Sequence, residues 1–119
     1  MHRIEPVSTR NVVSQLRRGT VEYCVLALLG RRPMYGFEIV RTLDDKGGLV
    51  TSLGTIYPLL ARLRADGLVT TTTRASDSGP ARRYYDITTA GRQALADFTD
   101  EWHRFRDLVD LLLDDEGDH

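Results

Sequence analysis

From Leu68 to Ile87 the chain abandons helical spacing of its apolar residues for the composition and alternation of strands, and on both sides of that stretch helical spacing holds. This switch constrains the fold more than any other feature, because it sets a strand pair between helices. On its N-terminal side, Val21, Cys24, Val25 and Leu28 mark one face of a helix over Leu16 to Gly30, and Leu26, Ala27 and Leu29 fill the other side. A helix apolar nearly all round must be covered on more than one side. Gly30 and Pro33 end it. A second helix over Tyr35 to Lys46 carries Phe37, Ile39, Val40 and Leu43 among Glu38, Arg41 and Asp44, and Gly47-Gly48 stops it. A third begins after Thr51 or Ser52 as N-cap and closes on Gly67 as C-cap. Leu68 to Arg74 then reads as a strand, Ala75 to Ala81 as turn chemistry, and Arg82 to Ile87 as a second strand. Thr88 or Thr89 caps a last helix running to about Leu113.

Three helices, a two-stranded hairpin and a further helix give a mainly α fold with a small β-hairpin, in the element order of a winged helix-turn-helix. The expected organisation is an N-terminal arm over 1–15, the winged helix-turn-helix DNA-binding domain over 16–88, a dimerisation helix over 89–113 and an acidic tail over 114–119. In such a fold the third helix enters the major groove. Its apolar positions Leu53, Ile56, Leu60 and Leu63 recur every three or four residues and face inward. The opposite face carries Thr51, Thr55, Pro58 and Arg62. Gly54 and Pro58 weaken this helix, at a cost of roughly 1 kcal/mol for the glycine and more for the proline. A contact surface explains that sacrifice, since short or polar residues let the backbone approach phosphates and base edges.

The charge distribution agrees. The net charge of −1 taken alone argues against nucleic acid, but residues 1–92 hold 14 Lys/Arg against 8 Asp/Glu, whereas residues 93–119 hold 2 against 9. A basic body and an acidic tail keep separate fields, because screening limits each to roughly 10 Å at ordinary salt. The single cysteine, Cys24, has no partner for an internal disulfide and fits a reducing compartment. With no apolar run long enough to span a bilayer and no export signal in Met1 to Arg10, a cytoplasmic location and no membrane partner are expected.

The last helix has its own pattern. Leu95, Phe98, Trp102, Phe105, Val109 and Leu112 are spaced 3, 4, 3, 4 and 3, a heptad seam among acidic and basic residues. The seam either packs on its own domain or pairs with a second copy across a twofold axis. Pairing is the expectation, because a helix of about 25 residues, roughly 37 Å long, outreaches the surface that three short helices and a hairpin offer. A homodimer would also set two recognition helices at half-sites about 34 Å apart.

These residues resemble the PadR family of transcriptional regulators, over about Arg18 to Leu113. The resemblance rests on Met34-Tyr35-Gly36, on Gly54-Thr55-Ile56-Tyr57-Pro58-Leu59-Leu60 with Leu63 and Gly67-Leu68, and on Arg83-Tyr84-Tyr85-Asp86-Ile87-Thr88 leading to Ala90-Gly91. It implies a dimeric DNA-binding regulator, of the short subfamily with a single C-terminal helix. It further implies a planar aromatic effector held between C-terminal helices. The tip Asp77-Ser78-Gly79-Pro80 departs from the family pattern in having fewer glycine and basic residues.

The candidate contacts to double-stranded DNA are Thr51, Ser52, Thr55, Tyr57, Arg62, Arg82 and Arg83, with Arg64 and Arg74 behind them, since hydroxyls and guanidinium groups match phosphate oxygens and base edges. Ser52 could instead only cap the helix, and the Tyr57 ring could pack on the core. The seam residues Leu95, Phe98, Trp102, Phe105, Val109 and Leu112 are the candidate dimer interface, and Trp102 with Phe98 and Phe105 the candidate effector pocket. Interface core is the plainer reading of the same rings. No catalytic residue, metal ligand or cofactor is expected. His2, His103 and His119 lack metal-ligand spacing with one another or with Cys24, and Gly47-Gly48 and Gly54 lack the Lys-Ser/Thr of a phosphate loop. The expected function is therefore a dimeric, ligand-responsive regulator, acting as a repressor. The competing reading is a winged-helix adaptor that binds protein and not DNA.

Overall fold

A computed structural model describes residues 12, 16, 19–45 and 52–114. Among the described residues, four helices and three strands are traced in the order α1 (Val21–Leu29), β1 (Met34–Tyr35), α2 (Gly36–Asp45), α3 (Leu53–Ala65), β2 (Val69–Ser76), β3 (Gly79–Ile87) and α4 (Thr89–Asp114). Val12 and Leu16 are also helical, but Gly19 at φ +84° breaks the path, so α1 starts at Val21 rather than at Leu16. The expected N-terminal arm otherwise lies outside the described residues.

The sheet has three strands, in the order β1-β3-β2, where the sequence suggested two. The added strand is short: Met34 lies opposite Tyr85 and Tyr35 opposite Tyr84. The hairpin is also longer and tighter than expected. Strand pairing runs out to Ser76 opposite Gly79, so only Asp77-Ser78 form the tip, and the irregularity between Arg74 and Ser76 leaves Ala75 without a paired residue. Most of the turn-like segment from Ala75 to Ala81 is therefore strand.

Leucines and isoleucines from α1, α2 and α3 close the core against β3. Val25, Leu26, Ile39, Ile56 and Leu60 are fully buried, with Met34, Leu63, Val69, Tyr85 and Ile87 around them. In α3 the inward set is Ile56, Leu59, Leu60 and Leu63; Leu53 at the first turn is only half-buried. The end of α3 shows why a glycine stands there. Asp66 caps the helix, Gly67 takes the left-handed conformation at φ +78°, and Leu68 N–H donates to the Leu63 carbonyl at 2.9 Å while Gly67 N–H donates to that of Arg64 at 3.0 Å. This pair of bonds satisfies otherwise orphaned carbonyls and turns the chain into β2.

The start of α4 is locked onto the same turn. The Thr88 hydroxyl donates to the Gly67 carbonyl at 2.7 Å and accepts from Gly91 N–H at 3.0 Å, and Thr88 N–H donates to the Leu68 carbonyl at 3.0 Å. Gly91 fits because it lacks a side chain: a Cβ there would lie 2.2 Å from the Leu68 carbonyl oxygen and 2.7 Å from Ile87 Cγ1. From this fixed root α4 continues for 26 residues, about 39 Å, including Asp114, which the sequence placed in the tail. The rest of the acidic tail lies outside the described residues.

Candidate nucleic-acid interface and C-terminal helix

With Ile56, Leu59, Leu60 and Leu63 committed to the core, α3 turns Gly54, Thr55, Tyr57, Pro58, Ala61 and Arg62 to solvent. Its first turn is well formed despite the glycine. Ser52 is the N-cap: its Oγ accepts from Thr55 N–H at 3.2 Å and lies 3.1 Å from the Thr55 hydroxyl. Both side chains remain exposed, so Ser52 caps the helix and stays available. Thr51, the other candidate at this end, lies outside the described residues. Pro58 sits inside the helix and supplies no N–H to the Gly54 carbonyl.

Tyr57 stands between the two roles considered for it. Its ring rests so closely on Gly36, at the start of α2, that a Cβ there would lie 2.8 Å from it, yet 48% of the residue is exposed. The glycine of Met34-Tyr35-Gly36 thus makes room for the tyrosine of the α3 motif. Arg62 is engaged as well: its guanidinium donates to a Glu22 carboxylate oxygen on α1 at 3.0 Å, with both groups open to water. Arg64 is exposed near the C-terminal end of α3.

Along β3 the side chains alternate. Tyr85 and Ile87 go to the core, and Arg83 follows on their side of the strand beyond the core's edge, exposed. Arg82 and Tyr84 take the opposite, outer side. There Arg82 stacks over the Tyr35 ring at 4.5 Å and Arg74 over the Tyr84 ring at 4.3 Å. The structure therefore gathers Ser52, Thr55, Tyr57 and Arg62 on α3, and separates Arg82 from Arg83 on two faces of the hairpin.

In α4 the proposed seam splits in two. Leu95 packs against the core, and Phe98 stacks on Tyr23 of α1 with ring centres 4.1 Å apart and planes within 3°. The chain of rings continues outward through Trp102, 6.2 Å from Phe98, to Phe105, 6.5 Å further. Beyond Phe98 the apolar side chains are open: Trp102 is 38% exposed, Phe105 60% and Leu112 59%, with Val109 half-buried. Leu108, Leu111 and Leu113 are exposed too, which widens the apolar surface past the heptad seam. An open depression of about 380 Å³ on α4 is lined by Arg92, Leu95, Ala96, Thr99 and Asp100, and none of the rings of Phe98, Trp102 and Phe105 lines it. Burial raises the pKa of the half-buried Cys24 thiol, which matches a small apolar filler rather than a reactive thiolate.

Residues 25–97 match the model of the transcriptional regulator PadR-like family. The chain belongs to that family. Its fold is that of PadR-like winged-helix proteins: a crystal structure of a PadR-like transcriptional regulator from Bacillus cereus superposes with a TM-score of 0.76 at 36% identity, covering 83% of this chain and 96% of the other. One from Eggerthella lenta gives 0.79 at 36% identity, covering 87% and 90%. A transcriptional regulator of Mycobacterium tuberculosis is 39% identical over 83 residues, 70% of this chain and 76% of that protein. PadR-like proteins are transcriptional regulators, not enzymes, and DNA binding is the activity the family implies. Among the described residues no His/Cys/Asp/Glu group of three could hold a metal ion, and no helix is long and apolar enough to cross a membrane.

Sequence reasoning missed Glu22, Tyr35 and Tyr84 as neighbours of the candidate arginines. Glu22 lies 40 positions from Arg62, and no local pattern joins them. The tyrosines had a signal, since Tyr84 alternates with Tyr85 on a strand, but the short β1 that brings Tyr35 beside Tyr84 had none.

Proposed function

We propose that this PadR-like regulator works as a homodimer, whose two α3 helices read DNA half-sites while the distal parts of α4 pair across a twofold axis. The reading has it act as a repressor that a planar aromatic effector, lodged beside Trp102 at the dimer axis, releases from DNA. One observation carries it: past its first turn α3 commits its large aliphatic side chains to the core, and it offers solvent a capped face of Gly54, Thr55, Tyr57, Pro58, Ala61 and Arg62. The exposed rings and leucines from Trp102 to Leu113 support pairing, because a monomer rarely leaves so long an apolar stripe in water. Ser52, Thr55, Tyr57, Arg62, Arg82 and Arg83 are the DNA contacts in this reading, together with Thr51. An effector would act only through its different affinity for the two arrangements of the paired helices.

Binding to duplexes from upstream of the chain's own gene, followed by fluorescence anisotropy over a range of salt, tests the DNA contacts. Affinity should fall steeply with salt as counterions are released, and Arg83→Ala should flatten the slope by about 0.9 for one phosphate lost. Binding indifferent to salt and to this substitution favours the protein-binding adaptor instead. Sedimentation at micromolar concentration should show twice the mass of the chain; a monomer rejects both the dimer and the effector site between subunits. Aromatic compounds should weaken binding of the wild-type protein and not of Trp102→Ala, and equal weakening of both rejects the effector site.

A further inference from the structure

Two consecutive residues in the first turn of α1 hold two different elements. Successive side chains on a helix point about 100° apart, so Glu22 and Tyr23 leave α1 in different directions. Glu22 accepts from the Arg62 guanidinium of α3 at 3.0 Å, and Tyr23 stacks on the Phe98 ring of α4, with ring centres 4.1 Å apart and planes within 3°. The turn that carries them follows Gly19, whose φ of +84° breaks the helical path, while Val25, Leu26, Leu28 and Leu29 anchor the rest of α1 in the core. The first turn of α1 therefore touches α3 on one side and α4 on the other.

The two contacts differ in tolerance. A flat, close stack transmits displacement, since α4 cannot roll or slide at Phe98 without dragging ring over ring. The ion pair has little slack, because about 0.6 Å of added separation carries it from 3.0 Å past the range of a hydrogen bond. It is also weak: its side chains are open to water, so a DNA phosphate can replace the carboxylate. A small displacement at Phe98 is enough to open or close it.

We infer that Glu22 and Tyr23 are positioning residues that couple α4 to the DNA contact: Tyr23 follows Phe98, and Glu22 withholds Arg62 from phosphate while the stack holds the turn in place. An aromatic effector beside Trp102, the next ring along α4 at 6.2 Å from Phe98, then sets how much of Arg62 is free. An effector that braces the ring column keeps Glu22 on Arg62 and weakens DNA binding. Bound DNA draws Arg62 away and loosens the stack in return, since coupling between two sites is reciprocal. A two-state contact carries the coupling, Arg62 on Glu22 or Arg62 on phosphate, and the strength of the exposed pair bounds it at up to about 5-fold in affinity. This rests on the reading above, in which Arg62 contacts DNA and α4 receives the effector.

The test uses the full chain and a duplex from upstream of its own gene. Glu22→Gln and Tyr23→Leu should each tighten binding by up to about 5-fold, and Tyr23→Phe, which keeps the ring, should bind like the wild type. On the α4 side, Phe98→Leu should tighten binding as Tyr23→Leu does. The double variant Glu22→Gln/Phe98→Leu should bind no more tightly than the tighter single variant, because both changes release the same arginine. Trp102 is the chain's only tryptophan, so its emission reports on α4 directly. Adding the duplex should change that emission in the wild-type protein and much less in Glu22→Gln. Effects that multiply in the double variant, weaker binding by Glu22→Gln, or an emission change that survives Glu22→Gln in full each overturn the coupling although DNA is still bound. If Arg62→Ala binds as tightly as the wild type, the placement of Arg62 on DNA fails instead. Where Tyr23→Leu or Phe98→Leu lowers the melting temperature, the emission change in Glu22→Gln, a surface substitution, decides.

Discussion

Gly54→Ala should make the protein more stable and worse at binding DNA. In the structure the added Cβ meets only Ser52 Oγ, at 3.7 Å, an ordinary van der Waals distance, and Gly54 has no positive φ to strain. The fold therefore loses nothing and gains helix propensity, about 0.5–1 kcal/mol in the first turn of a helix. At roughly 4 °C per kcal/mol for a domain of this size, the melting temperature should rise by about 2–4 °C. The methyl group also adds bulk to the exposed face beside Thr55, where the proposed DNA contact would bring the backbone close to the duplex. Loss of one good contact to DNA costs about 1–3 kcal/mol, so affinity should fall by roughly 5- to 150-fold. Thermal unfolding followed by circular dichroism and anisotropy on the same preparations measure both quantities. A raised melting temperature with unchanged affinity refutes the account of why α3 begins with poor helix formers, and a lowered melting temperature refutes the described geometry of the cap.

Three further outcomes follow from particular contacts. Gly91→Ala forces a Cβ to within 2.2 Å of the Leu68 carbonyl oxygen, which is already held by Thr88 N–H, so it should cost about 1–3 kcal/mol or more and appear as a lower denaturant midpoint. Gly79→Ala, with nothing within 4 Å of the added atom, is its neutral control. Glu22→Gln frees Arg62 from an ion pair whose side chains are 26% and 56% exposed, worth no more than about 1 kcal/mol, so stability should hardly change. DNA affinity should then rise, by up to about 5-fold, because a phosphate no longer competes with a carboxylate for the guanidinium; a fall shows that Glu22 orients Arg62 instead. The Cys24 thiol, with its pKa raised by burial, should react slowly with iodoacetamide at neutral pH, and mass spectrometry showing rapid labelling would contradict the packing of α1.

The helices were legible because each keeps an apolar period long enough to count, and Gly67 marked the end of α3 through the backbone conformation only glycine adopts easily. The third strand was not, since Met34-Tyr35 is too short to show alternation and gains strand geometry only by pairing with Tyr84 and Tyr85 of β3. The hairpin length misled for a different reason. Ser76 and Gly79 are turn residues by composition, yet they pair with each other across the strands and extend the hairpin past the irregularity to the Asp77-Ser78 tip, a tertiary effect that overrides local preference. At the site, the exposed face of α3 was readable from its spacing. The partners of its charges were not, because Glu22 against Arg62 and Tyr35 under Arg82 depend on how distant segments pack.

The heptad seam was read as a single stripe, and its division explains how a change at one end of the molecule can reach the other. Leu95 and Phe98 belong to the body: Phe98 lies flat on Tyr23, and Gly91 and Thr88 clamp the root of α4 to the turn that ends α3. From Phe98 outward about 16 residues, some 24 Å of helix, extend with their rings and leucines exposed. In the proposed dimer, a rigid rod fixed at its root to the end of α3 would convert any change of crossing angle between two such rods into a change of distance between the two α3 helices. Over those 24 Å, a 5° tilt about Phe98 displaces the far end by about 2 Å, comparable with the 1–2 Å helix shifts that move allosteric interfaces. In the proposed dimer, the same stacking that withdraws Phe98 from the free surface makes Trp102, its outward neighbour, the first ring at which pairing would act on the α3 helices.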